Sequence, residues 1–387
     1  MVDLSRFGLV LVMFLAGCAG GVEEWGGQVT ETDGVVRIQN PAVPLAGPAE
    51  VNAHLLWSSA GPAEGDYWEA PNRVHADDEV VFVVDRQASK IHRLSPEGRV
   101  LSSFGEPGGG PGQYRRIIDA IPTEAGLFVI DGGNGRVEIL GSGGEILASS
   151  LLGQVVFSVV PLGEDGVGVS GVLERDLKWQ RIDAAASMKE VSFPEFMDPD
   201  TSAVAPSRPG RWDGKRARLS FTSPQIQVFS DTGVLEKVID VSLPTEEATD
   251  QEIEGLVAEV AAVLAEDGLP SGVIQQQADQ LRSRPRAKLR FRDLRFDGTS
   301  GLAAIWEQNP EDFGSGNASL HLLSTAGIYL GALEFHRAWS AFDLKNGVLY
   351  TLSRDPDTDL VTLEAFSLSV PGEVLERADR LAEASRG

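Results

Sequence analysis

Short apolar runs rich in β-branched residues recur along the chain, and turns containing glycine, proline and polar residues separate them. Four of these runs read EVVFVVD (79–85), GLFVID (126–131), GLAAIWE (301–307) and GVLYTLS (347–353). Apolar runs of this length between turn signals predict β-strands rather than helices. The pattern therefore indicates a chain built mostly from short strands.

Two of the runs belong to a longer internal repeat. The segment VFVVDRQASKIHRLSPEGRVL, from Val81, aligns without a gap on LFVIDGGNGRVEILGSGGEIL, from Leu127. A shorter signature, in which a small residue follows an apolar one by four positions and precedes another by two, recurs more widely. It occurs at Leu94-Gly98-Val100, Leu140-Gly144-Ile146, Phe229-Gly233-Leu235 and Leu323-Gly327-Tyr329, with a degenerate copy at Ile182-Ala186-Met188. This signature predicts a strand, a tight turn with a positive φ at the small residue, and a returning strand.

Units of about four strands that recur every 40 to 50 residues are typical of β-propeller blades. We count six units, so the predicted fold is an all-β, six-bladed propeller spanning residues 51–371. The stretch 55–59 precedes the first unit and is expected to be the outermost strand of the last blade, which would close the ring. The stretch GVVRIQNP (34–41) and the charged tail 372–387 lie outside this count.

One late segment, residues 245–287, has a helical rather than a strand pattern. Ile253, Val257, Val260 and Leu264 recur at helical spacing, and Thr249 with Glu252 is suited to a capping box. No Lys or Arg occurs between Lys237 and Arg282. The segment is predicted to be a helical insertion in a late blade. It is either a solvated face over a propeller edge or a lid or partner-docking helix.

Charge narrows the classes of partner. The chain has 33 Lys and Arg residues against 57 Asp and Glu, a formal charge of −24 and a pI near 4.6. Nucleic-acid binding needs a basic surface to neutralise phosphates, so this composition argues against it.

The N-terminus predicts export. A short polar start is followed by an apolar run to Leu15 that is too short to span a bilayer, as in a signal peptide. The sequence LAGC ends at Cys18, the single cysteine of the chain, and resembles a bacterial lipobox. We therefore expect a signal peptide over 1–17, lipid attachment at Cys18, and a tether with an N-terminal extension over 18–50. By resemblance to the sorting rules of enteric lipoproteins, Ala rather than Asp at position 19 favours the outer membrane. The alternative to lipid attachment is a chance cysteine after an ordinary signal.

The glycine-rich stretch SSFGEPGGGPGQYRR (102–116) invites comparison with a phosphate-binding loop. It lacks the Lys and Ser/Thr that follow the glycines of a P-loop, and Pro111 removes one backbone N–H donor. Its place between two units predicts a connector between blades.

The segment DEVVFVVDRQASKIHRLSPEGRVLSSFGEPGGGPGQYRR (78–116) resembles an NHL repeat. More broadly, the chain resembles bacterial six-bladed β-propeller lipoproteins, which carry a similar TDGVVRIQNP opening and a late helical insertion. The resemblance implies the fold and export, and it implies no particular activity.

Several polar and aromatic residues are candidates for ligand binding because loops on a rigid scaffold concentrate function. Asp85 and Asp131 end equivalent strands and either accept backbone N–H groups in the following turns or line a channel mouth that holds Ca²⁺. Later loops and the tryptophans most suited to stacking add further candidates: Trp212, Trp306, Glu307, Arg354 and Asp355.

Two functions remain open. The first is a non-catalytic, membrane-anchored periplasmic lipoprotein whose propeller face binds a protein, glycan or small ligand. The second is a calcium-dependent, lactonase-like hydrolase on the same fold, which rests on fold analogy alone. No catalytic residue stands out, the five histidines form no metal motif, and Ca²⁺ is the only cofactor considered.

Overall fold

The computed structural model describes most of the chain beyond its N-terminus. The described residues are 25–47, 49–63, 67–153, 155–161, 166–173, 176–191, 209–220, 225–230, 233–243, 247, 249–266, 269–283, 291–308, 317–355 and 357–384. Over this part of the chain, no helix is both long enough and apolar enough to cross a membrane. Residues 1–24, which include the predicted signal peptide and Cys18, lie outside the described residues.

Strands dominate the described chain. Those before the first blade are β1 (Gln28–Thr32), β2 (Val35–Asn40) and β3 (Asn52–Ser59). Blade 1 contains β4 (Pro71–Ala76), β5 (Val81–Asp85), β6 (Lys90–Leu94) and β7 (Val100–Phe104), and two short strands follow it, β8 (Glu106–Pro107) and β9 (Gln113–Tyr114). Blade 2 contains β10 (Ile117–Thr123), β11 (Gly126–Asp131), β12 (Arg136–Leu140) and β13 (Ile146–Leu151). Blade 3 contains β14 (Val155–Pro161), β15 (Gly166–Leu173), β16 (Asp176–Asp183) and β17 (Met188–Val191).

The second half continues in the same way. Blade 4 contains β18 (Pro209–Trp212), β19 (Lys215–Leu219), β20 (Gln225–Phe229) and β21 (Leu235–Val241). Blade 5 contains β22 (Phe291–Asp297), β23 (Leu302–Gln308), β24 (Ala318–Ser324) and β25 (Tyr329–Phe335). Blade 6 contains β26 (Trp339–Lys345), β27 (Val348–Arg354) and β28 (Val361–Ser369). The described residues thus form a six-bladed β-propeller, with the first strand of each blade innermost.

The ring closes as the sequence predicts. Strand β3 pairs antiparallel with β28 from Leu363–Ser59 to Ser369–Asn52, which supplies the fourth strand of blade 6. Trp57 of β3 donates its indole N–H to Pro96 O of blade 1 at 2.8 Å. A strand from the start of the chain therefore joins the last blade to the first.

The recurring small residue adopts the predicted positive φ. The φ angles are 85° at Gly98, 87° at Gly144, 88° at Gly233 and 97° at Gly327, and Ala186 has 56°. The preceding blade adds a second requirement. A Cβ on Gly98 would lie 2.7 Å from the Trp57 ring, and one on Gly144 would overlap Phe104. The signature thus marks places where one blade's outer strand packs on the next blade's hairpin.

The N-terminal extension contributes more to the fold than its place outside the blade count suggests. Strands β1 and β2 form a hairpin, and β2 pairs in parallel with β21, so the sheet of blade 4 has six strands. The chain then passes along blade 5, where the N–H groups of Leu45 and Ala46 donate to Tyr329 O and Leu330 O at 3.0 and 3.1 Å. We call residues 28–47 and 49–51 the N-terminal strap.

Three helices complete the described chain. Helices α1 (Asp250–Glu266) and α2 (Ser271–Arg282) form the insertion, in the connection between β21 and β22 and therefore between blades 4 and 5. Thr249 and Glu252 form the predicted capping box: Thr249 N donates to Glu252 Oε2 at 2.5 Å, and Glu252 N donates to Thr249 Oγ1 at 3.3 Å. Helix α3 (Gly372–Glu383) occupies the predicted tail and buries Val374 and Ala378 in the core shared by blades 4 to 6.

Candidate functional site

The innermost strands carry an irregularity at one repeated position. The pairing register shifts between Pro71 and Arg73, Ile117 and Asp119, Phe291 and Asp293, and Trp339 and Ala341. A β-bulge changes the direction of the side chains that follow it. Charged residues follow several of these bulges on the innermost strands, and they contact one another between neighbouring blades.

We call this group the axial belt. Its members lie on the innermost strands of blades 1, 2, 5 and 6, and they are Arg73, His75, Asp119, Asp293, Arg295 and Asp343.

Ion pairs of the axial belt join neighbouring blades. His75 Nε2 lies 2.6 Å from Asp119 Oδ1, and Arg73 Nε lies 3.4 Å from Asp119 Oδ2, which links blades 1 and 2. Arg295 contacts Asp293 Oδ1 at 2.7 Å and Asp343 Oδ1 at 2.9 Å, which links blades 5 and 6. The belt therefore acts as an electrostatic connection between blades.

Backbone groups occupy further acceptor positions of these carboxylates. Asp343 Oδ2 accepts a hydrogen bond from Ala76 N of blade 1 at 2.7 Å, and Asp119 Oδ1 accepts one from Ala120 N at 2.8 Å. N–H donors and neighbouring cations stabilise the charged form of a carboxylate. The arrangement suits holding strands together better than acid–base chemistry.

The pKa shifts agree with that role. Burial alone would raise the pKa of the Asp119 carboxyl, but His75, Arg73 and the Ala120 N–H hold it well below its usual range. Burial opposes the charge of Arg295, yet the carboxylates of Asp293 and Asp343 raise its pKa above the ordinary value. Both groups therefore remain charged near neutral pH.

One end of the propeller carries the connectors between blades and the ends of the second strands; we call it the connector face. Asp85 is 2% exposed at this face. Its Oδ2 accepts from Glu69 N at 2.8 Å, and its Oδ1 accepts from Ala70 N and Ala88 N at 3.0 and 3.1 Å. The carboxylate thus ties the connector before blade 1 to the turn after β5.

Asp131 repeats this arrangement in blade 2, where it is fully buried. Its Oδ1 accepts from Arg116 N and Gly133 N, both at 3.1 Å, and from Asn134 N at 3.2 Å. Of the two interpretations of this aspartate pair, the geometry matches the one with backbone N–H donors.

The glycine connector, residues 105–116, joins blades 1 and 2 as predicted, and polar side chains of blade 2 hold it in place. Arg136 Nη2 donates to Gly110 O at 2.6 Å and to Gln113 O at 2.5 Å. Asn134 Nδ2 donates to Gly108 O at 2.9 Å, and Glu138 accepts from Gly112 N at 3.2 Å. The loop is therefore fixed in one shape at the connector face.

Trp306 and Glu307 lie side by side on β23 at the end of blade 5 that belongs to the connector face. Both are largely buried, at 6% and 8% exposed. Trp306 packs against Trp339 and Phe342 of blade 6. Glu307 Oε2 lies 2.5 Å from His321 Nε2.

The other candidates lie apart from these. Trp212 ends β18, at the opposite end from the connector face, is 1% exposed, and donates its indole N–H to Thr325 O at 3.0 Å. Arg354 is the last residue of β27 and Asp355 follows it, on the connector face. Arg354 pairs with Asp359 at 2.6 Å, and hydrogen bonds to Thr358 lower the pKa of Asp355. The structure therefore does not bring the seven candidates together into one cluster.

The axial belt was missed by sequence reasoning, although the sequence contains a signal for it. Charged residues alternate with apolar ones in RVH (73–75), DLR (293–295) and FDL (342–344). Alternation places these charges on one face of a strand. Because the innermost strands of a propeller line its axis, charges on that face could have been assigned to the channel.

The sequence leaves open a Ca²⁺ site at the channel mouth. Among the residues that the structure describes, no group of three or more His, Cys, Asp or Glu side chains is placed to hold a metal ion. Calcium binding remains a prediction that needs a measurement.

Comparisons with known proteins support the fold. No protein-family model matches the chain, and no curated protein matches its sequence. A crystal structure of a DUF4221 family member from Bacteroides vulgatus is similar, with a TM-score of 0.57 and 12% identity, covering 83% of this chain and 99% of that one. A candidate exported protein from Bacteroides fragilis has a TM-score of 0.55 and 9% identity, covering 87% of this chain and 97% of that one. At these identities the likeness concerns the fold.

Proposed function

We propose that this protein is a non-catalytic lipoprotein of the bacterial cell envelope. An acylated Cys18 anchors it, with the outer membrane as the expected location and the propeller facing the periplasm. It binds a protein, glycan or small ligand through the connector face. The lipobox-like LAGC sequence and the NHL-like repeat of blade 1 support export of a propeller of this kind.

One observation carries the choice of face, namely the fixed glycine connector. Free glycine-rich loops have many conformations, and ordering one on binding opposes association. Here Asn134, Arg136 and Glu138 have already ordered it. An exposed loop that is rigid before it meets a ligand favours binding.

The anchor is tested by metabolic labelling with a palmitate analogue, in a bacterial host, of the full chain and of Cys18→Ser. We expect label and membrane association in the wild type, and loss of both in the variant. Equal labelling of the two proteins, or none in the wild type, would contradict the anchor.

The binding face is tested by photo-crosslinking in the same host. A photoreactive residue at exposed Gly109, in the glycine connector, should yield a discrete crosslinked product. The same residue at exposed Glu124, in the β10–β11 turn at the opposite end, should not. Products at both positions, or at neither, would count against the proposed face.

Calcium-dependent hydrolysis is the outcome that would replace this proposal. We expect the same melting temperature in EDTA and in added calcium. A large, saturable rise with calcium, together with lactone hydrolysis, would show a metal enzyme, because a ligand that binds only the folded state raises the melting temperature.

A further inference from the structure

We propose that Ser103 of blade 1 is a reactive serine that accepts an acyl group from an activated ester or thioester, with His92 as its general base. This modification site is separate from the ligand site proposed above. It needs neither the lipid anchor nor catalytic turnover, so the two proposals are independent.

The two side chains face each other across neighbouring strands. His92 on β6 is paired with Ser103 on β7, and its Nδ1 atom lies 2.8 Å from Ser103 Oγ. Residues paired across antiparallel strands place their side chains on the same face of the sheet. A hydroxyl and a base within hydrogen-bonding distance form the arrangement that activates a serine nucleophile.

The imidazole is buried and held in place, whereas the serine is exposed. His92 is 3% exposed, and the ring of Trp68 packs edge-on against it with the ring centroids 5.2 Å apart. Trp68 is itself fixed, because it donates its backbone N–H to Ala60 O and its indole N–H to Ser59 O. Ser103 is exposed on the outermost strand of the blade. An incoming ester can therefore reach the nucleophile while the base stays in position.

The surroundings of His92 also favour its neutral form. Burial lowers the pKa of the imidazole from its ordinary value; the nearby carboxylate of Asp85 opposes this lowering, and Lys90 adds to it. A neutral imidazole with its proton on Nε2 presents Nδ1 as the acceptor for the Ser103 hydroxyl. The pair thus has the protonation state that a general base needs near neutral pH.

The equivalent positions of two other blades lack this combination. In blade 2, Glu138 is paired with Ser149, and in blade 5, His321 is paired with Ala332. Of these three blades, only blade 1 places a histidine opposite a serine. The pair is therefore not a general requirement of the blade fold.

The strand that carries Ser103 also offers donors for a developing oxyanion. Strand β7 is the outermost of its four-stranded sheet, so alternate backbone N–H groups point away from β6. N–H groups beside a nucleophile stabilise the negative charge of a tetrahedral intermediate. Leu101, on the same strand, is 42% exposed and provides apolar surface for the acyl chain.

These groups balance the chemical step. The Ser103 hydroxyl proton moves to His92 Nδ1 while Oγ bonds to the carbonyl carbon of the donor. The bond between that carbon and its alkoxide or thiolate leaving group then breaks, and His92 gives the proton to the leaving group. The products are an acyl ester on Ser103 and a free alcohol or thiol.

The first test treats the purified wild-type protein with a fluorophosphonate probe, which forms an Oγ–P bond as its P–F bond breaks. We expect a single label, located at Ser103 by mass spectrometry of peptides. Ser103→Ala should carry no label. Ser102→Ala, next in sequence and paired with Arg93, and Ser149→Ala in blade 2 should label at the wild-type rate. No labelling of the wild type, or labelling that persists in Ser103→Ala, would overturn the proposal.

The second test measures the role of His92 through the rate of labelling and its pH dependence. His92→Gln should slow labelling about a hundredfold near neutral pH, because a general base contributes at least about that factor. In the wild type the rate should rise through the lowered pKa of His92 and then level off, and the variant should lack this step. Melting temperatures check that the variants are folded. An unchanged rate in folded His92→Gln, or a wild-type rate without this pH step, would overturn the proposal and leave the contact between the two side chains a structural role.

Discussion

Blades 2 and 5 carry different side chains at two equivalent positions of their sheets. At equivalent positions the second strand carries Asp131 in blade 2 and Glu307 in blade 5, and the third strand carries Glu138 or His321. The short Asp131 side chain turns back onto backbone N–H groups, whereas Glu307 extends across the sheet to His321. The carboxylate therefore binds the connector in blade 2 and the neighbouring strand in blade 5.

The outer edges of these two blades differ as well. On β13 of blade 2, Leu147 and Leu151 are 56% and 72% exposed. On β25 of blade 5, Tyr329 and Leu330 are 4% and 0% exposed, because the N-terminal strap lies over them. The strap passes there on its way to blade 6, so chain topology rather than the blade's own pattern decides which edge is covered.

The largest expected effect is the loss of the Asp131 carboxylate. Asp131→Ala leaves several N–H groups of the glycine connector and the following turn without an acceptor, which costs about 4 kcal/mol in the free energy of unfolding. Denaturant unfolding measures this, and hydrogen exchange should rise at Arg116 and Asn134. Asp355→Ala, which removes similar N–H contacts in an exposed loop, should change stability little. A comparable loss in both variants would contradict the role given to burial.

The second-largest effect is expected from removing the hydrogen bonds by which the N-terminal strap binds blade 5. Asn40 is 1% exposed; it donates to Gly327 O at 2.9 Å and accepts from Tyr329 N at 2.8 Å. Asn40→Ala leaves these buried groups unsatisfied and should cost about 3 kcal/mol in denaturant unfolding. Asn52→Ala, which removes an exposed bond to Ala49 O, should cost about 0.5 kcal/mol or less. Equal effects would show that the strap adds no stability at Asn40.

The contact between blades 1 and 2 gives a smaller expected difference between a variant and its control. Gly144→Ala combines a positive φ with overlap against Phe104, whereas Gly135→Ala has a positive φ and open space. The second variant should lose about 1 kcal/mol, and the first should lose about 2 kcal/mol more. Thermal or denaturant unfolding compares them. Equal losses would mean that Phe104 moves aside without cost.

The smallest effect concerns the axial belt in acid. The pKa of Asp119 is lowered in the folded protein, so the stability it contributes is present above its unfolded pKa of about 4 and is lost as the pH falls below that value. The difference in unfolding free energy between the wild type and Asp119→Asn should therefore shrink by about 1 kcal/mol between about pH 5 and pH 3. A constant difference over that range would show that Asp119 does not contribute to the loss of stability in acid.

Much of the fold could be predicted because it depends on local patterns. The strands, the hairpin glycines such as Gly144 and the capping box of Thr249 and Glu252 each arise from residues close in sequence. The closing role of β3 followed from its likeness to the connection after blade 1. These features can be predicted without knowing which residues far apart in the sequence are in contact.

The site was less predictable because its geometry depends on partners far along the chain. Asp343 meets Ala76 N, and Asn40 meets Tyr329 N, through contacts between residues separated by hundreds of positions. Nothing next to Asp343 or Asn40 in the sequence marks these partners. The sequence shows the chemical type of each residue, but it does not show which residues lie next to it in the fold.

By itself, the sequence determined the blade repeat, the number of blades, the ring closure and the helical character of the insertion, since strand and helix periodicity record which face of each element is buried. Only the tertiary structure decided that the N-terminal strap covers blades 4 and 5, that charged residues of four blades meet on the axis, and that Asp131 and Glu307 hold different elements. These outcomes depend on how the blades are arranged around the ring. Side-chain length and the direction of the bulged strands then set which groups come within hydrogen-bonding distance.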